Sequence, residues 1–112
     1  MLKKLNLIKM MEKWADYLIS AIRYEETFTS KTISHCKVHS DNGDTVGPGT
    51  TWSREEIMNA IIRGQNFYTI LKDIRGKWKK GNKVTLVKAE KIYLNDDVEK
   101  AEEDRLASIP EF

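Results

Sequence analysis

The chain has 112 residues, of which 40% are hydrophobic and 32% are charged, and its formal net charge is +2. This length suits one domain with a buried core, and the nearly balanced charge points to no particular class of partner. The single cysteine, Cys36, excludes an internal disulfide, and no apolar run approaches the length of a transmembrane helix. We therefore predict a cytoplasmic protein that does not bind membranes.

Residues 1–14 are predicted to be a leader outside the folded core. Basic residues followed by leucines give this segment a superficial likeness to a secretory signal peptide. Asn6, Lys9 and Glu12 interrupt the apolar stretch that a signal peptide needs, and no small-residue cleavage site follows. A short amphipathic helix is the alternative, because four apolar residues recur at helical spacing: Leu7, Met10, Met11 and Trp14.

Two strands and a turn are predicted next. Residues 14–24 carry aromatic and β-branched side chains on both alternating faces, which favours a central strand, although the short apolar run also fits a helix. Residues 32–39 alternate and are rich in β-branched side chains, so we predict a second strand that pairs with the first as a hairpin. Residues 40–49 contain three of the six glycines and one of the two prolines, a composition typical of a turn.

The clearest local signal predicts a helix over residues 54–63. Ser53 and Glu56 have the spacing of a capping box, in which the two residues satisfy each other's backbone amides. Gly64 then stands where a helix commonly ends in the left-handed conformation. Three apolar residues form the stripe that is expected to face the core: Ile57, Ala60 and Ile61.

The rest of the chain predicts an α+β fold with a mostly antiparallel sheet. Strands are predicted at 67–71, 83–88 and 91–94, with a glycine-containing turn over 75–82. An acidic C-terminal helix and tail follow within 95–112. The element order is β-β-α-β-β-β-α, with about five strands and one helix packed on the sheet. Residues 15–112 are thus predicted to form a single domain.

Four segments in this order resemble a family of small bacterial proteins, catalogued as domain of unknown function three-eight-nine-two. They are residues 15–24, 52–57, 64–69 and 106–112, so the resemblance covers roughly 15–112. The most specific pieces are the Phe-Tyr-Thr strand after a helix-ending glycine and the Leu-x-x-Ile-Pro-x-Phe end. The resemblance implies a compact α+β domain and brings no activity, cofactor or catalytic residue.

His35, Cys36 and His39, followed by Asp41 and Asp44, suggest a metal site, but the predicted strand argues against it. On a strand the two imidazoles share a face about 13 Å apart, at ~3.3 Å per residue, and the thiol points the other way. If the segment were helical, the two histidines would be neighbours and the site would be plausible. We predict a strand with two exposed imidazoles, a buried thiol and no bound metal.

No other pattern in the sequence identifies catalytic chemistry. The chain contains no nucleophile elbow, phosphate-binding loop or dinucleotide fingerprint. The segment from Asp41 to Asp44 resembles the start of a calcium loop, but position 12 of that loop is Trp52 rather than glutamate. We therefore assign no catalytic residue and no cofactor.

The most informative feature is the distribution of charge. Residues 72–91 hold eight basic and two acidic residues, whereas residues 95–112 hold two basic and seven acidic residues. A basic hairpin with a tryptophan could bind phosphates through lysines and stack a base on the indole. The simpler interpretation is a solvated edge hairpin whose lysines prevent edge-to-edge pairing. The candidate contact residues for nucleic acid or a partner are Lys72, Arg75, Lys77, Trp78, Lys79, Lys80 and Lys83.

These observations favour a small non-enzymatic binding or accessory protein that acts through protein contacts or self-association. A nucleic-acid-binding module that uses the hairpin 72–91 is the alternative. A small enzyme with a hidden pocket is the third hypothesis, because a cleft between the helix and the sheet would not be visible in the sequence.

Overall fold

The computed structural model describes residues 15–26, 31–43, 45–88, 92–95, 106 and 109–112. These residues form strands before and after one helix. The elements are β1 (Tyr17–Glu26), β2 (Lys31–Ser40), β3 (Thr50–Ser53), α1 (Arg54–Ile62), β4 (Phe67–Lys72), β5 (Trp78–Lys88) and β6 (Ile92–Asn95). The predicted leader 1–14 and the helix predicted between 95 and 107 fall outside the described residues, apart from Asn95 and Leu106.

The strands form one mixed sheet in the order β3-β2-β1-β4-β5-β6. Neighbouring strands are antiparallel except β1 and β4, which pair in parallel from Tyr17↔Phe67 to Ile19↔Thr69. The α+β class, the mostly antiparallel sheet and the β1–β2 hairpin are confirmed. The predicted order lacks β3, because residues 50–53 are too short and polar to indicate a strand without their partner β2.

The helix α1 begins and ends as its sequence predicts. The Glu56 amide donates to Ser53 Oγ at 3.2 Å, and the Ser53 amide donates to Glu56 Oε1 at 3.0 Å. The hydrogen bond from the Ser53 amide to the carboxylate, together with hydrogen bonding by the Ser53 side chain, lowers the pKa of the exposed Glu56 carboxyl. Gly64 has φ +94° and donates to the Ile61 carbonyl, while the Gln65 amide donates to the Ala60 carbonyl. Within the described chain, no helix has the length and apolar character needed to cross a membrane.

Side chains on the two faces of the sheet differ sharply. We call the face covered by α1 the helix face and the opposite face the far face. The helix face holds the main core cluster, in which Tyr17, Trp52 and Phe67 form an aromatic group with ring centroids 4.7–5.8 Å apart. The far face holds a smaller apolar cluster: Ala15, Leu18 and Ile70, with Val46, Tyr68 and Trp78 packed against it.

Three irregularities in the strand pairing decide which side chains reach each face. The β1–β2 register skips Ser20 on β1 and Ser34 on β2, so each is an extra residue in its strand. The extra residue Ser20 lets Ile19 and Ile22 both join the core on the helix face. The regular alternation of faces assumed over residues 14–24 is therefore wrong after Ser20, because one inserted residue reverses the facing of the residues that follow.

The third irregularity corrects the predicted turn over 75–82. The turn is closed earlier, by Asp73, whose carboxylate accepts from the amides of Arg75 and Lys77 at 2.8 and 2.9 Å. Strand β5 already begins at Trp78, and Gly81 and Asn82 together oppose Thr69 on β4. Gly81 marks a bulge rather than a turn, since a Cβ there would meet the Thr69 side chain and lie 2.9 Å from its carbonyl oxygen.

The C-terminal residues complete the sheet beside β1. The Ile22 amide donates to the Pro110 carbonyl, and the Phe112 amide donates to the Ile22 carbonyl, each at 2.9 Å. Ile109 and Leu106 are buried in the cluster on the helix face. The edge of β1 is thus shared, because β4 pairs with its first part and the C-terminal residues with its second.

Candidate functional site

The basic hairpin residues identified in the sequence do not share one surface. Lys72, Trp78, Lys80 and Lys83 lie on the far face, because Lys72 pairs with Trp78 and the other two lysines pair with the far-face residues Ile70 and Tyr68. Lys79 is exposed on the other side of the same strand. Arg75 and Lys77 are exposed in and beside the turn.

Two lysines of the far face lie against aromatic rings. Lys72 Nζ is 4.8 Å from the centroid of the Trp78 ring, and Lys80 Nζ is 4.4 Å from that of Tyr68. Trp78 is half-buried and also contacts the His39 ring, at a centroid distance of 5.8 Å. The rings therefore hold ammonium groups by cation–π attraction, which leaves their positive charge available to an anion.

A second cationic group lies on the far face beside β1, and the sequence interpretation missed it. The Arg23 guanidinium carbon is 4.5 Å from the centroid of the Phe112 ring, and Lys37 Nζ is 5.4 Å from it. Arg23 Nε also donates to the Phe112 carbonyl at 3.2 Å. The bulge at Ser20 turns Arg23 to the far face, whereas Lys37 lies there by simple alternation with the core residues of β2, so no local run of charge in the sequence predicts this group.

A cleft of about 460 Å³ lies between the two cationic groups. Its polar lining consists of Ser20, Lys37, His39 and Lys72, and the Trp78 ring forms one wall. The apolar lining comes from the diverging strands and the C-terminal residues: Ala21, Ile70, Leu71 and Pro110. The cleft therefore combines positive charge, a buried hydroxyl–imidazole pair and apolar walls.

The buried polar pair in the cleft is a defined hydrogen-bonded chain. Ser20 Oγ is 2.6 Å from His39 Nε2, and His39 Nδ1 is 2.8 Å from the Gly47 carbonyl oxygen. A carbonyl can only accept, so the neutral imidazole donates from Nδ1 and accepts the Ser20 hydroxyl proton at Nε2. His39 is 7% exposed. The prediction of two exposed imidazoles is therefore wrong for His39, which is covered by the β2–β3 connection that also supplies Gly47.

Glycine at position 49 leaves space for this arrangement. A Cβ there would lie 2.8 Å from Lys37 Cγ and 2.9 Å from His39 Cε1, closer than real side chains approach. The connection between β2 and β3 therefore packs its backbone directly on the imidazole ring. The glycine-rich connection between β2 and β3 therefore positions the His39 imidazole.

A second cavity, of about 390 Å³, lies on the other side of Trp78 beside Asp41. The buried Asp41 carboxylate accepts from the Ala15 amide at 3.0 Å and from the Gly43 amide at 2.9 Å. These bonds tie the start of β1 to the loop after β2. They give Asp41 a structural role, which agrees with reading this segment as a turn rather than a calcium loop.

The residues of the suggested metal site lie apart. Cys36 is buried in the helix-face cluster, as predicted, whereas His39 points into the far-face cleft. His35 is half-buried, and its Nδ1 is 3.1 Å from Ser34 Oγ. Across the described ranges, no group of three or more His, Cys, Asp or Glu side chains could hold a metal ion. Asp44 lies outside those ranges.

Comparison with protein-family models, with curated proteins and with solved structures returns no match for this chain. The resemblance of the four sequence segments to a family of small bacterial proteins therefore stays a prediction.

Proposed function

We propose that the protein is a non-enzymatic binding module that recognises an acidic segment of a protein partner through the far face of its sheet. The observation that carries this proposal is the convergence of cations from separate strands on one face: Arg23, Lys37, Lys72, Lys80 and Lys83. An acidic partner is complementary in charge to this face, and complementary charge speeds encounter and selects partners.

The cationic side chains of the far face favour a flexible acidic segment over a partner whose anionic groups are held in a rigid arrangement. Four of these five cations are lysines, which act as mobile point charges, and only Arg23 offers a planar fork for paired hydrogen bonds. Phe112, Trp78 and Tyr68 hold the ammonium groups near the surface, which reduces the conformational freedom that binding would otherwise remove.

Nucleic acid is the second candidate for the same surface. The hairpin contributes Lys72, Lys80 and Lys83 to the far face, and these could bind phosphates. Base stacking is less favourable, because Lys72 lies over the Trp78 ring and Lys80 over the Tyr68 ring. A stacked base would have to displace these ammonium groups. The acidic polypeptide is therefore the preferred partner class.

The test compares lysines on opposite faces of one strand. The full chain is titrated with a glutamate-rich peptide and, separately, with single-stranded DNA of matched charge at low salt. Lys80→Glu on the far face is expected to weaken peptide binding by about tenfold, with Lys72→Glu having a similar effect. Lys79→Glu makes the same charge change on the other side of β5 and should have an effect below about twofold.

Two results would overturn the proposal. Equal losses for Lys79→Glu and Lys80→Glu would mean that only net charge matters and that the far face is not the binding surface. Tighter binding of DNA than of the peptide, with the same dependence on Lys80, would replace the protein partner with nucleic acid.

A further inference from the structure

The cleft on the far face is produced by the path of the main chain. Pairing between β1 and β4 ends at Ile19↔Thr69, and from Ile22 onward β1 bonds instead to the C-terminal residues. Between these two partners the sheet forks, and Ala21, Ile70 and Pro110 line the resulting space. The opening therefore follows from strand divergence at a bulge, and bulges commonly occur beside functional sites.

The charge of the lining selects an anion. Lys37 and Lys72 reach the cleft from opposite sides of the fork, since one lies on β2 and the other ends β4. The described residues that line the cleft include no carboxylate. Two ammonium groups in one partly enclosed space repel each other, and an anion between them would offset that repulsion.

The hydroxyl–imidazole pair adds a directional feature. Ser20 Oγ uses its proton toward His39 Nε2, so toward the cleft it presents lone pairs and acts as an acceptor. His39 Nδ1 is already bonded to the Gly47 carbonyl, which fixes the polarity of the chain in the neutral imidazole. A ligand that fits this site therefore carries a hydrogen-bond donor, such as a hydroxyl group, in addition to its anionic group.

The size and walls of the cleft indicate the remainder of the ligand. Its volume, about 460 Å³, lies within the ~300–1,000 Å³ typical of small-molecule sites. Ile70, Pro110 and the half-buried Trp78 ring form its apolar sides. These walls suit a planar or compact apolar body of the size of one aromatic ring.

We propose that this cleft is a binding site for a small hydroxylated organic acid, whose carboxylate lies between Lys37 and Lys72 and whose hydroxyl donates to Ser20. This inference goes beyond the proposed recognition of an acidic polypeptide, because it assigns a separate small-molecule site inside the same face. It depends on the fork and its lining, not on Lys80 or Lys83.

The experiment titrates the full chain with three probes that differ by one group each. The probes are 4-hydroxybenzoate, benzoate, which lacks the donor, and 4-hydroxybenzamide, which lacks the charge. Binding is followed by NMR shifts of backbone amides and tryptophan indoles, with changes expected at Ser20, Ala21 and Trp78. We expect benzoate to bind about threefold to tenfold more weakly than 4-hydroxybenzoate, and the neutral amide at least tenfold more weakly.

Variants assign each part of the site. Lys37→Met and Lys72→Met should each weaken 4-hydroxybenzoate binding about fivefold or more, whereas Lys79→Met removes the same charge outside the cleft and should leave it unchanged. Ser20→Ala should abolish the preference for 4-hydroxybenzoate over benzoate while benzoate still binds. Since Ser20 is buried, the amide spectrum of each variant first establishes that it folds.

The outcomes separate this site from the proposed partner surface. Lys80→Glu should impair the glutamate-rich peptide and spare 4-hydroxybenzoate, because Lys80 is not part of the cleft lining. The small-molecule site is wrong if the NMR shifts map outside the cleft or if 4-hydroxybenzamide binds as tightly as 4-hydroxybenzoate. It is also wrong if Lys79→Met weakens 4-hydroxybenzoate binding as much as Lys72→Met does. Such a result would not contradict the proposed peptide-binding surface. Loss of peptide binding alone would likewise not contradict the proposed small-molecule site in the cleft.

Discussion

The two faces of this sheet share the same strands and differ in almost every other respect. The helix face excludes water with a cluster of buried apolar side chains, whereas the far face combines a small apolar patch with cations on aromatic rings and a polar cleft. Adjacent residues such as Phe67 and Tyr68 belong to different faces. The buried apolar core and the cationic, cleft-bearing surface are thus divided between the two faces, and the register of the strands determines that division.

The bulges are the means of that division. Lys80 and Lys83 are three residues apart and would face opposite ways on a regular strand, yet both lie on the far face because of the bulge at Gly81 and Asn82. The extra Ser20 likewise directs its own hydroxyl and Ala21 to the cleft while Ile22 returns to the core.

The largest expected loss of stability distinguishes two adjacent residues of β4 that lie on opposite faces of the sheet, Phe67 and Tyr68. Phe67→Ala removes a fully buried ring that stacks on Tyr17 and contacts Trp52, and should lower the free energy of unfolding by about 3–5 kcal/mol. Tyr68→Ala, its neighbour on the far face, should cost clearly less, because that ring is half-buried under Lys80. Urea unfolding of both variants measures the difference, and equal losses would contradict the division of roles.

A second prediction addresses the bulge in β5. Gly81→Ala should lower the free energy of unfolding by about 1–3 kcal/mol, because the new Cβ overlaps Thr69. Gly76→Ala is the matched control, since its Cβ would enter open space and only its φ of +79° opposes the change. Gly81→Ala should also shift the amide resonances of Lys80 and Lys83, and a neutral result would mean that the bulge tolerates a side chain.

The two bulge serines provide a third comparison. Ser20→Ala leaves the buried His39 Nε2 without its donor, which should cost about 1–3 kcal/mol. Ser34→Ala removes a more exposed bond from Ser34 Oγ to the Arg23 carbonyl, 3.1 Å long, and should cost less than about 1 kcal/mol. Thermal or urea unfolding at neutral pH measures which of the two substitutions costs more stability. A larger loss for Ser34→Ala would show that the Ser20–His39 pair adds little to stability.

The smallest effect concerns the start of α1. Ser53→Ala should lower the free energy of unfolding by about 1 kcal/mol through loss of the cap.

The pKa of Glu56 is lowered in the folded state. The stabilisation by its carboxylate is therefore present above the pKa of the unfolded chain and is lost as the pH falls through the pKa of the folded state. The stability difference between the parent and Glu56→Gln, measured in urea at pH 7, 4 and 3, should therefore shrink on acidification. A difference independent of pH would argue against the capping carboxylate.

Local chemistry in the sequence predicted much of this fold. The helix limits follow from Ser53, Glu56 and Gly64, because capping bonds and a positive φ depend on residues a few positions apart. The hairpin β1–β2 and most strands follow from alternating β-branched residues, and the buried Cys36 from its place in that alternation. The α+β class then follows from the order of these elements.

The candidate site depended on contacts that no local pattern contains. Parallel pairing of β1 with β4 joins residues about fifty positions apart, and the C-terminal residues reach β1 from still farther along the chain. The three bulges arise from register between strands, so the far-face positions of Arg23 and Lys83 become visible only in the assembled sheet, and so does the burial of His39. Helices and strands form through short-range hydrogen bonding and the periodicity of apolar residues. A cleft forms only where distant segments of the chain pack together, and long-range contacts determine the free energy of that packing.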